Sequence, residues 1–87
     1  MKKEELKQRI EEFGDAIITY KSPNSNKTKY NVCTIDFNNN YIQGKRNRAK
    51  EDDSTVLMFC WDTDSFRLMK VDNVTSVVAL SSILRNE

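Results

Sequence analysis

Histidine is absent from this chain. That side chain does most general acid–base work near neutral pH and is a common zinc ligand, so its absence argues against an enzyme and against a resident metal. Glycine is nearly as scarce: Gly14 and Gly44 are the only two. Phosphate-cradling loops and nucleophile elbows need glycines at close, fixed spacing, and neither pattern occurs. The two cysteines, Cys33 and Cys60, do not have metal-ligand spacing. Each sits in an apolar strand pattern and reads as a buried thiol. Adjacent carboxylates occur at Asp52-Asp53 and near each other at Asp62 and Asp64, in polar stretches where such groups are ordinarily solvated. No catalytic residue, no metal and no cofactor is expected.

Other absences bound the partners. Net charge is only +1, so no global basic field draws the protein to nucleic acid; any such affinity has to be local. The longest apolar run is far too short to span a bilayer. The opening MKKEELKQRIEEF has no apolar core of the kind a secretory signal carries. A cytoplasmic protein with no membrane partner is expected. The 87 residues allow one domain, 1–87. A domain of that size buries only about 60–65% of the surface its unfolded chain exposes. Its stability is then modest, and a homo-oligomer is an expected way of adding to it.

What the sequence does contain is organised around Thr55 to Leu80. Val56, Leu57, Met58, Phe59, Cys60 and Trp61 form an unbroken apolar run, as in a strand buried on both faces. Asp62 to Ser65 supply turn chemistry. Phe66 to Val71 reads as the next strand, Asp72-Asn73 as a turn, and Val74 to Leu80 as a third strand. Leu57, Phe59, Leu68, Val77 and Ile35 are the expected core.

Upstream, Leu6, Ile10 and Phe13 fall on one stripe of a helix over Lys3 to Phe13, stopped by Gly14. Ala16 to Lys21 reads as a strand, Ser22 to Thr28 as a loop, and Lys29 to Phe37 as a second strand. Asn38 to Asn40 read as a tight turn, and Tyr41 to Gln43 as a short return strand. Lys45 to Ser54 is polar throughout, four basic residues followed by three acidic ones, and reads as a loop. The predicted architecture is mainly β: a helix over 1–14, a small five- to six-stranded antiparallel barrel over 16–80, and a tail over 81–87.

From Ala16 to Leu80 this order of features resembles the WYL domain, a small SH3-like or Sm-like barrel preceded by a helix. The resemblance lies in the ITY strand with Tyr20, the polar loop after it, the VLMFCW strand, and SFRLMKVDNVTSV. That last piece is similar to the family's arginine-rich segment, with Phe66, Arg67, Leu68, Lys70 and Val71 at its positions. The Trp-Tyr-Leu triplet is absent, Asp64 stands where the family carries an arginine, and Lys70 replaces a second one. The resemblance implies an SH3-like barrel and a nucleotide or nucleic-acid ligand held by basic side chains, here Arg67 and Lys70.

The residues support a binding reading independently. Lys45, Arg46, Arg48 and Lys50 form a basic run fit for phosphates. Tyr41 precedes it, and Trp61 and Phe66 flank a turn next to Arg67. Nucleotides and single strands are held by stacking on aromatic faces beside cationic groups. The expectation is a small non-enzymatic module binding a nucleotide or single-stranded nucleic acid. Lys45, Arg46, Arg48 and Arg67 supply charge, and Tyr41 or Trp61 a stacking face. Size and composition suit a phage or mobile-element accessory protein. The alternative is a protein-interaction module that inhibits a host or defence factor.

Overall fold

The computed structural model describes residues 1–45 and 49–84. Helix α1 (Lys3–Phe13) is followed by strands β1 (Ala16–Lys21) and β2 (Thr28–Thr34), a short helix α2 (Asn40–Gln43), and strands β3 (Thr55–Cys60) and β4 (Ser65–Lys70). A 3-10 turn over Val71–Asn73 leads into β5 (Val74–Ala79), and α3 (Leu80–Leu84) ends the described chain. The strands form one antiparallel sheet in the order β4-β3-β2-β1-β5.

That order forces curvature. β4 and β5 are the two edges of the sheet, yet only the 3-10 turn joins them. In a flat sheet the edges would stand roughly 19 Å apart, four spacings of about 4.8 Å. Four residue steps from Lys70 to Val74 span at most about 13–14 Å. The sheet therefore rolls into a partly closed barrel. A register shift between Thr19 and Tyr20 against β5 adds a local bend.

α1 forms where apolar spacing and charge agree. Glu4 and Glu5 occupy its first turn, where carboxylates favour the helix dipole. Gly14 ends it at φ 76°, a conformation glycine adopts without steric penalty, and its N–H donates to the Ile10 carbonyl at 2.9 Å. Leu6 and Ile10 are fully buried. Phe13, expected on the same stripe, is the last residue of the helix and is 37% exposed.

The two faces of the sheet are filled differently. Ala16, Ile18, Tyr20, Cys33, Val56, Met58, Cys60 and Met69 line the inner face beneath Leu6 and Ile10, and Ile35, Val74 and Val77 pack against them. Phe59 and Thr34 face outward as a pair, and Phe59 is completely buried there. β3 is thus covered on both sides, as its apolar run predicts.

Several expectations are corrected. Leu68 is 39% exposed, because alternation places it outward against Leu57 while Met69 points inward against Val56. Leu57 is only partly buried. Tyr41 to Gln43 form a helical turn, not a strand: the Asn39 side chain caps it by accepting from the Tyr41 N–H at 2.9 Å. β2 ends at Thr34, three residues short of the predicted end, where the Thr34 hydroxyl accepts from the Asp36 N–H and turns the chain outward. Among the described residues five strands form, within the expected five to six, and Ile83 and Leu84 of the tail stay exposed.

Candidate functional site

The segment after β2 folds over the outer face and builds an aromatic layer. Thr34 sends its hydroxyl to the Gly14 carbonyl at 2.9 Å, and the Asp36 carboxylate accepts from the Asn38 N–H at 3.2 Å. The first bond ties the end of β2 to the end of α1, and the second is a local turn bond within the crossover. Ile42 is buried on the sheet, so α2 is anchored by one apolar side chain.

Phe59 forms the floor of this layer. Its ring meets Phe66 at 5.3 Å and Trp61 at 5.1 Å, both edge-on, and Phe37 meets Phe66 at 5.7 Å. Edge-on packing sets the positive rim of one ring against the negative face of another. Tyr41 lies over Trp61 with ring centres 6.1 Å apart and planes 30° from parallel. Tyr41 remains 54% exposed.

Polar groups hold these rings in place. The Tyr41 hydroxyl donates to Asp64 Oδ1 at 2.7 Å, and the Trp61 indole N–H donates to Asp15 Oδ1 at 2.9 Å. Lys45 Nζ sits 4.8 Å from the centre of the Tyr41 ring and 3.3 Å from Asp64 Oδ2. Asp64 adopts φ 53°, a left-handed conformation that aspartate tolerates better than most residues. The Tyr41 hydroxyl, then Lys45, holds the Asp64 carboxyl below its usual range. The hydrogen bond to Asp64 in turn raises the Lys45 ammonium.

Three of the sequence-predicted residues, Tyr41, Lys45 and Trp61, are therefore brought together. Arg46 and Arg48 lie outside the described residues. Lys50 is exposed just before β3. Lys70 faces outward near the end of β4, opposite Thr55. Arg67 is not part of this platform. It opposes Met58 on the inner face, and its guanidinium lies 4.8 Å from the Tyr20 ring centre.

Around Arg67 the sheet carries a polar cluster that sequence reading did not single out. The buried Tyr20 hydroxyl donates to Asn31 Oδ1 at 2.7 Å, and Asn31 Nδ2 donates to both Asp62 oxygens at 3.1 and 3.2 Å. Burial raises the Tyr20 phenol, against the opposing influence of Arg67. The cluster opens on a cleft of about 500 Å³ that also includes Lys29 and Tyr30. No short-range pattern marks it, because its members come from four separated segments.

Among the described residues, no three of His, Cys, Asp and Glu converge as metal ligands, and no helix is long and apolar enough to cross a membrane. No protein-family model, curated protein or solved structure matches the chain.

Proposed function

We propose that this chain is a non-enzymatic cytoplasmic module that binds a nucleotide or single-stranded nucleic acid on the Tyr41–Trp61 platform. The observation that carries this reading is the state of Tyr41. Its ring is 54% exposed, yet it is held by Trp61 beneath and Asp64 at its hydroxyl. An exposed, pre-positioned ring loses little freedom on accepting a base. It also stands at the root of the basic run Lys45, Arg46, Arg48 and Lys50. Asp64 already pairs with Lys45, so Arg46, Arg48 and Lys50 supply most of the charge for phosphate. Arg67, on the inner face, serves a ligand only at a different part of the surface, and Lys70 faces outward at the other end of β4 from Phe66. The WYL resemblance belongs to the same proposal.

Trp61 is the sole tryptophan and reports on the platform directly. Titration with mononucleotides and short single strands at low salt is expected to quench its fluorescence. Affinity should fall steeply with added salt as counterions are released, and Arg46→Ala with Arg48→Ala should flatten that slope. Tyr41→Ala should cost about 1–3 kcal/mol of binding.

The edges favour a second reading, a protein-interaction or self-associating module, including one that inhibits a host or defence factor. β4 and β5 each present an apolar side chain, Leu68 at 39% and Val78 at 37% exposure. Binding insensitive to salt, with no response of Trp61 to any nucleotide or strand, would select this reading.

A further inference from the structure

Cys33 and Cys60 lie directly opposite one another on β2 and β3, with Sγ atoms 3.2 Å apart, and both are fully buried. Their place in the ladder follows from its hydrogen bonds. The Trp61 N–H donates to the Val32 carbonyl at 2.7 Å, so the Val32–Trp61 position is a hydrogen-bonded pair. Antiparallel pairs alternate, which makes Cys33–Cys60 a non-hydrogen-bonded pair, the kind with α-carbons about 4.5 Å apart and side chains closest. That separation lies within the range a disulfide spans, roughly 4.4–6.8 Å.

The seam these thiols face across is the shortest in the sheet. β2 and β3 share two register pairs, Cys33–Cys60 and Thr34–Phe59. β3 and β4 share six, and β1 and β2 also six. A covalent link at Cys33–Cys60 would therefore reinforce the sheet where its backbone pairing is thinnest.

We propose that Cys33 and Cys60 are a latent disulfide, a modification site closed by a small two-electron oxidant of the peroxide class. The Cys60 sulfur attacks one peroxide oxygen, the O–O bond breaks, and one water leaves, with a sulfenic acid on Cys60. The Cys33 sulfur then attacks that sulfur, the S–S bond forms, and the second water leaves. Two thiol hydrogens and two electrons pass to one peroxide. The two roles are interchangeable in this scheme, since either thiol can donate the hydrogen bond that joins them. Peroxide reaches the pair through local opening of the short seam, so closure is slower than at an exposed thiol. The proposal is independent of any ligand on the aromatic platform.

The test treats the folded chain with hydrogen peroxide, unfolds it, alkylates the remaining thiols and maps peptides. The expected product is one intramolecular Cys33–Cys60 peptide pair, no alkylated cysteine, and full reversal by dithiothreitol. The melting temperature of the closed form should rise by about 10 °C or more. Cys33→Ser treated alongside should show no rise, which separates closure from methionine oxidation. If that variant fails to fold, the wild-type peptide map and its reversal decide alone. Two alkylatable thiols after treatment, sulfinic acid in place of the link, or a link only between chains would each overturn the proposal.

Discussion

The inner and outer faces of one sheet are built on different plans. The inner face gathers apolar side chains from all five strands and α1, and its polar groups are confined to the end where Tyr20, Asn31 and Arg67 meet. The outer face is covered locally, by the crossover after β2 and α2, with five aromatic rings centred on Phe59. Removing apolar area from water is the main stabilising term in folding. The inner face, with long-range partners on every side, carries most of it. The outer face stops short of full coverage and leaves Tyr41 in solvent.

Phe59 is where the two plans meet, and Phe59→Ala should have the largest effect. The ring is fully buried and touches Tyr41, Trp61 and Phe66. Its removal should cost about 3–5 kcal/mol, enough to unfold a marginal domain. A melting temperature within a degree or two of wild type would place the real core elsewhere.

Leu6→Ala tests the inner face alone. The side chain is completely buried under α1 and touches none of the outer rings. A loss of about 2–4 kcal/mol in chemical denaturation is expected, with the Trp61 emission of the remaining folded fraction unchanged. A shifted Trp61 spectrum in that fraction would show that the two faces are not separable.

Each face also has a carboxylate clasp, and acid compares them. Glu51 accepts from Lys7 Nζ at 2.8 Å, from the Leu57 N–H at 2.9 Å and pairs with Lys3 at 3.2 Å, tying α1 to β3. Lys7 first, then the Leu57 N–H, holds its carboxyl down at about 2, from an ordinary 4.5. The folded value is the lower one, so this stabilisation is complete above about pH 4.5 and is lost as pH falls toward 2. Because the lysines keep solvent contact, Glu51→Gln should cost only about 1–2 kcal/mol at neutral pH. It should also flatten the acid limb of the stability curve. Asp64 is shifted in the same direction by Tyr41 and Lys45 but is exposed. Asp64→Asn should leave the acid limb nearly unchanged, and an equal flattening by both variants would erase the contrast.

The smallest expected effect on stability is that of Tyr41→Ala, below about 1 kcal/mol, since the ring is half in solvent and its hydroxyl bond is exposed. A loss comparable to that of Phe59→Ala would make Tyr41 a core residue and remove the basis for a binding platform.

Local pattern made much of this legible. The helix over Lys3 to Phe13, its stop at Gly14, the strand over Ala16 to Lys21 and the apolar β3 run were all readable from period and turn chemistry. Where a side chain's neighbour is distant in sequence, pattern failed. Leu68 and Met69 are both apolar, and only the register against β3 decides which points inward. Tyr41 to Gln43 carry β-forming residues, yet the Asn39 cap and the anchoring of Ile42 make them helical.

The sequence by itself determined the elements, their order and the residue types available for binding, because helix and strand periodicity act over a few neighbouring residues. Tertiary structure alone decided what those residues face. It laid Tyr41 over Trp61, sent Arg67 to the opposite face and set Cys33 against Cys60. Each of these depends on how the strands register and on how far the sheet must curl for three residues to join its edges. Such constraints are satisfied by the whole chain at once, and no short window of sequence contains them.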